Sequence, residues 1–394
     1  MVFIGQPHKP SIIAHWVAPF QAILGAMRVG LLSLVLLLSG TLHGQNTSPD
    51  QLLNRAIEEQ QKGDFAAAIR DYRAVLALRP DTLAARVNLG AALAHTGQLD
   101  AAIAQYQAAL RLAPQLGSVH LDLGLAWSRK GDLPHALEQF EAAHRADPHE
   151  VRVAILLGDA QARSGKAADA VAMLTPLEPA NAGNPDFEYA LGEALIRGGH
   201  PRDGAARVEK SAAMTNSADA WMLAGSTLLD LNEFAQARRD LDNAMRLDSS
   251  LPGLCTLDGT ARDKDGDARA AEPAFREALQ RNPNDFDANL YLGAILYQQR
   301  NMDEAKKYLD KALELNPQST MARYESAMWK STSGDYQAAA DQLEKLVADD
   351  PQWLEPHVEL ATLYYRLHRP ADGARERQIV DKLTAQQQQQ GPGK

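Results

Sequence analysis

Apolar residues recur at helical spacing along most of the chain, in short stretches separated by glycine or proline. From 83 to 96, and again from 99 to 112, the apolar side chains are spaced so that they share one face of an α-helix. Gly97 separates the two stretches at a position where a helix end favours a positive φ angle. Pro114 follows the second stretch and cannot continue a helix. The pattern predicts two helices joined by a tight turn and closed by a proline.

This pair of helices returns with a period of 34 residues. A glycine inside the first helix repeats at steps of 34, with one step of 33: Gly90, Gly124, Gly158, Gly192, Gly225, Gly259 and Gly293. The turn position and an alanine early in the second helix follow the same period. Self-similarity at this period is the signature of a stacked helical array. The sequence therefore predicts an all-α solenoid of about ten helix-turn-helix repeats over residues 49–384.

The glycine inside the first helix requires an explanation from packing. Glycine at such a position costs roughly 1 kcal/mol relative to alanine. We expect the two helices of a repeat to cross closely there, with Ala102 as a second small residue. Larger side chains such as Tyr106 and Phe140 would then fill the seam beside the glycine.

These residues resemble the tetratricopeptide repeat family. One unit matches the family's pattern at Gly90, Gly97, Ala102, Tyr106, Ala109 and Pro114, and the next unit matches it 34 residues later. The resemblance covers most of the chain and implies a right-handed α-solenoid whose first helices line a concave face. Units four to six depart from the pattern, because they lack the closing proline and carry Leu174 and Val208 in place of the aromatic residue. Looser packing or a bend is expected there.

Both ends of the chain differ from the repeats. The last unit has Gly373 and Arg377 where the pattern has apolar residues, as in a capping repeat. Residues 385–394 are rich in glutamine and are expected to be a disordered tail, with a frayed helical extension to Gln390 as the alternative.

The first 44 residues have the pattern of a signal peptide. They contain no acidic residue, and residues 29–40 form an uncharged apolar run directly after Arg28. This run is shorter than the roughly 20 residues of a membrane span. We expect cleavage before Gln45 and a protein that is exported to the periplasm or secreted. Two alternatives remain: residues 29–44 stay as a membrane anchor, and residues 1–26 precede a true start at Met27.

Composition narrows the possible functions. The formal net charge is −10, which argues against a nucleic-acid partner. Cys255 is the single cysteine, so an internal disulfide or a multi-cysteine metal site is excluded. Hydrophobic residues make up 45% and charged residues 23%, which is typical of a globular chain.

The sequence contains no complete catalytic or metal motif. Asp263, Asp265 and Asp267 resemble the start of a calcium loop, but Ala274 stands where a bidentate glutamate is required. Cys255 is expected to be a small buried thiol. We therefore predict no catalytic residue, no metal and no cofactor, and we predict that the protein is not an enzyme.

Two columns of first-helix residues are candidates for binding a partner. The resemblance places one at inward-facing positions, and eight of its nine members are apolar: Val87, Leu121, Ile155, Tyr189, Met222, Thr256, Leu290, Tyr324 and Val358. They either form a groove for a peptide or pack against neighbouring first helices. The second column is His95, Arg129, Arg163 and Arg197. It either binds an acidic segment or is neutralised by carboxylates four residues earlier.

Some members of the family bind C-terminal carboxylates through fixed basic and amide positions, and this chain has Val87, Ala91, Ser118 and Asp122 there instead. The sequence thus predicts a protein-interaction scaffold whose candidate site is Val87, Leu121, Ile155, Tyr189, Arg129, Arg163 and Arg197. The partner would be another protein or peptide, with a membrane involved only if the leader is retained. A membrane-anchored structural spacer and an enzyme that uses the groove are the alternatives.

Overall fold

A computed structural model describes residues 48–390 of the protein, and all the regular structure in this part of the chain is helical. Ten helical hairpins follow one another. Their first helices are α1 Pro49–Gln61, α3 Leu83–His95, α5 Gly117–Arg129, α7 Val151–Arg163, α10 Pro185–Arg197, α12 Ala218–Asp230, α14 Leu254–Lys264, α16 Phe286–Gln298, α18 Thr320–Thr332 and α20 Leu354–Arg366.

The second helices return along the first. They are α2 Phe65–Leu78, α4 Leu99–Leu112, α6 Leu133–Ala146, α8 Ala167–Leu174, α11 Pro201–Thr215, α13 Phe234–Leu247, α15 Ala268–Arg281, α17 Met302–Leu315, α19 Tyr336–Asp349 and α21 Pro370–Gln390. Nine of the second helices pack against their own first helix, and most second helices also pack against the next first helix. The prediction of an all-α solenoid is confirmed.

The described residues form two compact units that divide between Thr227 and Leu228, within α12. In the first unit the largest fully buried side chains include Tyr72, Phe140 and Phe187, and in the second they include Phe275. First helices of consecutive repeats also contact one another, as α3 contacts α5 in the first unit and α16 contacts α14 and α18 in the second. In both units, neighbouring first helices therefore lie side by side.

The close helix crossing predicted at the repeated glycine is confirmed. A Cβ atom at Gly124 would lie 2.6 Å from Cε1 of Phe140, and one at Gly90 would lie 2.7 Å from Cε1 of Tyr106. Both rings are buried in the seam between the two helices of their repeat. Only hydrogen fits between the first helix and these rings, which explains a glycine in the interior of a helix.

The turn between the two helices uses the left-handed backbone region. Gly97 has a φ of +79°. In three repeats the same turn is made by Asn232, Arg300 and His368, with φ angles of 59°, 65° and 57°. These residues adopt a conformation that costs energy for any side chain bearing a Cβ.

Repeat 4 departs from the pattern by a broken second helix. After α8 ends at Leu174, a 3₁₀ turn covers Thr175–Leu177 and a short helix α9 covers Glu178–Asn181. Pro176 cannot donate the next helical hydrogen bond, so the α-helix stops before it. Packing is not looser at this repeat, because residues 153–162 of α7 are all buried. The expectation of loose packing is therefore corrected for repeat 4.

The last helix, α21, continues to Gln390. Residues 385–390 are therefore helical, and residues 391–394 of the predicted disordered tail lie outside the described residues. Glutamine is a good helix former, and no glycine or proline interrupts the chain before Gly391.

The predicted signal peptide at 1–44 lies outside the described residues. Within residues 48–390, every helix is too short or too polar to cross a membrane.

Candidate interaction face

The predicted apolar column follows the first helices, but its members differ in exposure. Val87, Leu121 and Tyr189 are half-buried beside the core. Ile155 is only 1% exposed and clusters with Phe187, because α10 packs directly against α7. Ile155 is therefore removed from the candidate partner-binding residues, and for this residue the interpretation as core is the correct one.

The arginine column is engaged within the chain. Arg163 donates to Asp159 at 3.3 Å, and Arg197 donates to Glu193 at 2.9 Å. Each carboxylate lies four residues before its arginine on the same helix and is buried. These are the neutralising pairs that the sequence offered as an alternative to an acidic ligand. Neither arginine presents an uncompensated charge.

Arg129 has no carboxylate four residues earlier, yet it also has a partner. Its Nη1 donates a hydrogen bond of 2.6 Å to the carbonyl oxygen of Ala94. Ala94 lies in the last turn of α3, where carbonyl groups carry the negative end of the helix dipole. The interaction joins repeats 2 and 3 without any ligand.

Asp122 directly follows Leu121 on α5 and is half-buried. Burial raises the pKa of its carboxyl group to about 6, although the charge of Arg152 acts in the opposite direction. Burial and the neighbouring Asp122 carboxylate also raise the pKa of the Tyr106 hydroxyl. This part of the first unit is thus a partly desolvated polar patch.

The second unit carries a different surface on its first helices. We call it the acidic tyrosine face. It comprises Tyr291, Met321, Tyr324 and Val358 together with the carboxylates Asp263, Asp287, Glu325, Glu355 and Glu359. Met321 and Val358 are 47% and 42% exposed. The face runs along α14, α16, α18 and α20.

Helical spacing places these residues on one side of each helix. Met321 and Tyr324 are three residues apart on α18, and Glu355 and Val358 are three apart on α20. The negative charges of Glu359, Glu325 and Glu355 all raise the pKa of the Tyr324 hydroxyl, after the larger effect of burial. The carboxylates of α18 and α20 therefore surround the same tyrosine.

The five carboxylates of this face lack hydrogen bonds and ion pairs to the described part of the chain. Burial raises the pKa of Asp263, Asp287, Glu325 and Glu359. The cations nearby lie over aromatic rings: Lys264 Nζ is 5.1 Å from the centroid of Tyr291, and the Arg366 guanidinium is 5.1 Å from that of Tyr336. The face thus has an excess of negative charge.

Several charges on the second helices of this unit are paired instead. Arg276 of α15 bonds to Glu272 on its own helix and to Glu304 on α17, with distances of 3.0–3.1 Å. Lys306 pairs with Asp310 on α17. These paired charges differ from the five carboxylates of the acidic tyrosine face, which have no ion pair with described residues.

Sequence reasoning overlooked most of this face, although a signal was present. The apolar column followed only one position of the repeat, the one occupied by Tyr324 and Val358. The position directly after it also repeats at steps of 34, through Tyr291, Glu325 and Glu359. Comparing this second position along the array would have identified the run of acidic and aromatic residues.

Two family models match the chain, and both are described as tetratricopeptide repeat. One matches residues 53–116, 189–252 and 257–320, and the other matches residues 129–194. Together they cover more than half of the 394 residues. The chain belongs to the tetratricopeptide repeat family.

Solved structures with a similar arrangement include other tetratricopeptide proteins. A tetratricopeptide repeat protein from Parabacteroides merdae ATCC 43184 is 15% identical, with 63% of this chain and 98% of that chain covered and a TM-score of 0.48. The Cut9 and Hcn1 hetero-tetramer of APC/C is 14% identical, with coverages of 86% and 88% and a TM-score of 0.48. Yeast Tom70 is 15% identical, with coverages of 87% and 97% and a TM-score of 0.34. No curated protein sequence matches the chain.

Residues of this tetratricopeptide array that suggested other chemistry have structural roles. Asp265 accepts a hydrogen bond of 2.9 Å from Arg238, and Asp267 caps the N-terminus of α15. The described residues contain no group of three or more side chains suited to holding a metal ion. Cys255 is buried, as predicted, and burial raises the pKa of its thiol.

Proposed function

We propose that this tetratricopeptide protein is a non-enzymatic scaffold that binds another protein or peptide along its first helices. The observation that carries the proposal is the acidic tyrosine face of the second unit. There the first helices α18 and α20 expose the apolar side chains of Met321 and Val358 beside carboxylates that have no ion pair with described residues. An exposed apolar patch with a polar rim is typical of a protein-interaction site.

The candidate binding residues in the first unit are Val87, Leu121 and Tyr189, which remain partly exposed. Truncating a buried interface anchor commonly costs 1 kcal/mol or more of binding energy. Arg129, Arg163 and Arg197 would lie at the rim of such a site, where their contribution to affinity is reduced by the bonds they already make.

Site-specific photo-cross-linking in cells tests this function. A photoreactive residue at Leu121 or Val358 should capture a partner protein. The same residue at Leu112, an exposed position on the second helix α4, is the matched control. Capture through Leu112 alone would contradict the assignment to the first helices, and capture at none of the three would contradict the scaffold. A substrate screen that finds turnover would contradict the non-enzymatic part of the proposal.

We also propose that the scaffold works in an exported compartment, the periplasm or the exterior. The support is the uncharged run after Arg28 and the absence of acidic residues before it. Intact-mass measurement of the protein from cells should give a chain that begins near Gln45. A species that retains residues 27–44 would favour a membrane-anchored spacer instead.

A further inference from the structure

We infer that the acidic tyrosine face of the second unit binds a cationic amphipathic segment, in which lysine or arginine residues alternate at helical spacing with apolar ones. The inference rests on the proposed scaffold function and names the class of partner. It follows from an exposed apolar strip and a set of uncompensated carboxylates that occupy the same side of the same helices.

The apolar residues of the face would bind the apolar side chains of the partner. Met321 and Val358 expose nearly half of their surface, and Tyr324 packs beside them against the indole of Trp353, with ring centroids 5.2 Å apart. Leaving such groups in water is unfavourable, and covering them with an apolar side chain recovers about 25 cal/mol for each Å² buried. A purely polar partner would leave these apolar side chains exposed to water.

The carboxylates of the face would bind the charged side chains of the partner, and they require those side chains to be cationic. Glu325, Glu355 and Glu359 flank Tyr324, and Asp263 and Asp287 continue the row along α14 and α16. They lack ion pairs with described residues, and four of them are partly desolvated. A cationic side chain placed among them gains Coulomb energy without first breaking an existing pair. An anionic partner would meet repulsion along the whole row.

The tyrosines already show how a cation is accommodated. Lys264 lies over Tyr291 at 5.1 Å, a cation–π contact within the chain. The charge of Lys264 also opposes the rise in the pKa of Glu325. A ligand lysine or arginine in the adjacent part of the row would find the same combination of an aromatic face and a carboxylate.

Glu325→Gln with Glu359→Gln removes two carboxylates from the centre of the face. The matched control is Asp310→Asn with Glu314→Gln, which makes the same change of net charge on the second helix α17 of the same unit. Both are made in the full chain, and circular dichroism checks that each remains helical. Glu355→Gln, at an exposed position, serves as a milder single variant if the double variant does not fold.

Three synthetic peptides are the probes. The first places leucine at helical spacing with lysine between, the second replaces every lysine by glutamate, and the third keeps the lysines but replaces leucine by glycine. We expect the lysine–leucine peptide to bind best. The face variant should weaken it about tenfold, as the loss of two partly desolvated ion pairs would. The α17 control should change its affinity less than about twofold, since its charges are exposed. Val358→Ser should weaken the leucine peptide and leave the glycine peptide unaffected.

Several results would overturn the inference. If the face variant and the α17 control weaken binding of the lysine–leucine peptide equally, its affinity depends only on the net charge of the protein. Equal binding of the glutamate peptide would remove the charge complementarity, and failure of every lysine peptide to bind would remove the site. If cross-linking through Leu121 still captures a protein in that case, the scaffold stands and only the partner class is wrong. If cross-linking captures nothing at any position, the scaffold itself is wrong whatever the peptides do.

Discussion

At the scale of single residues, the fold depends on places where only hydrogen fits. The seam of repeat 3 brings the Phe140 ring to within 2.6 Å of a Cβ added at Gly124, and the ring has no exposed surface through which to move away. In repeat 9 the equivalent positions are occupied by Ala327 and Leu343, which are both fully buried. The size of one residue in the first helix is thus matched to the size of its neighbour in the second.

Gly124→Val should therefore destabilise the protein by about 1–3 kcal/mol, the usual range for overpacking a core. Gly124→Ala should be milder, and combining it with Phe140→Leu should cost less than the sum of the two single changes, because the two residues are in contact. Urea denaturation of the wild type, Gly124→Ala, Phe140→Leu and the double variant measures the coupling energy between the two residues. If the free-energy changes of the two single variants add up to that of the double variant, the proposed contact in the seam is contradicted.

Asp122 gives a prediction for pH dependence. Its pKa in the folded protein, about 6, lies above the unfolded value of 3.8. Folding therefore favours the protonated acid, so Asp122 costs stability above pH 6, and this cost disappears as the pH falls through 6 towards 4. Asp122→Asn should stabilise the protein by up to about 3 kcal/mol at pH 8 and by little at pH 4. A stabilisation that is the same at both pH values would show that the charge is not the cause.

At the scale of elements, the period predicted the hairpins and their turns, because glycine and proline act locally. Exposure of individual first-helix residues could not be predicted in the same way. Ile155 is buried since the broken second helix of repeat 4 lets α10 pack directly against α7, and this depends on distance between helices rather than on spacing along the chain. The acidic tyrosine face could have been recognised, because its residues repeat at the same step as the glycines.

The turn of repeat 8 provides a test at this scale. Arg300 is exposed and has a φ of 65°, where seven of the other repeats have glycine at the equivalent position. Arg300→Gly should relieve this backbone conformation and stabilise the protein by about 0.5–1 kcal/mol, after allowing for the greater freedom of glycine in the unfolded chain. Gly266→Ala, the opposite change in repeat 7, should destabilise it. Thermal unfolding that moves in the same direction for both variants would contradict this explanation.

At the scale of the whole molecule, each repeat depends mainly on its neighbours. A repeat array has a stability that is approximately a sum of repeat and nearest-neighbour terms. Hydrogen exchange of Gly124→Val should therefore show faster exchange in repeats 2 to 4, over residues 83–182, and unchanged exchange in α16 to α21. Unchanged protection throughout 83–182, or an equal loss along the entire chain, would contradict this description.

We conclude that the acidic tyrosine face of the first helices meets the partner, whereas Asp310 and Glu314 on the second helix α17 pair with lysines of their own helix. Carboxylate labelling with a carbodiimide and an amine, read by mass spectrometry with and without the bound lysine–leucine peptide, tests it most directly. We expect the peptide to protect Glu325, Glu355 and Glu359 from labelling and to leave the labelling of Asp310 and Glu314 unchanged. Protection of Asp310 and Glu314, with full labelling of the other three, would contradict it.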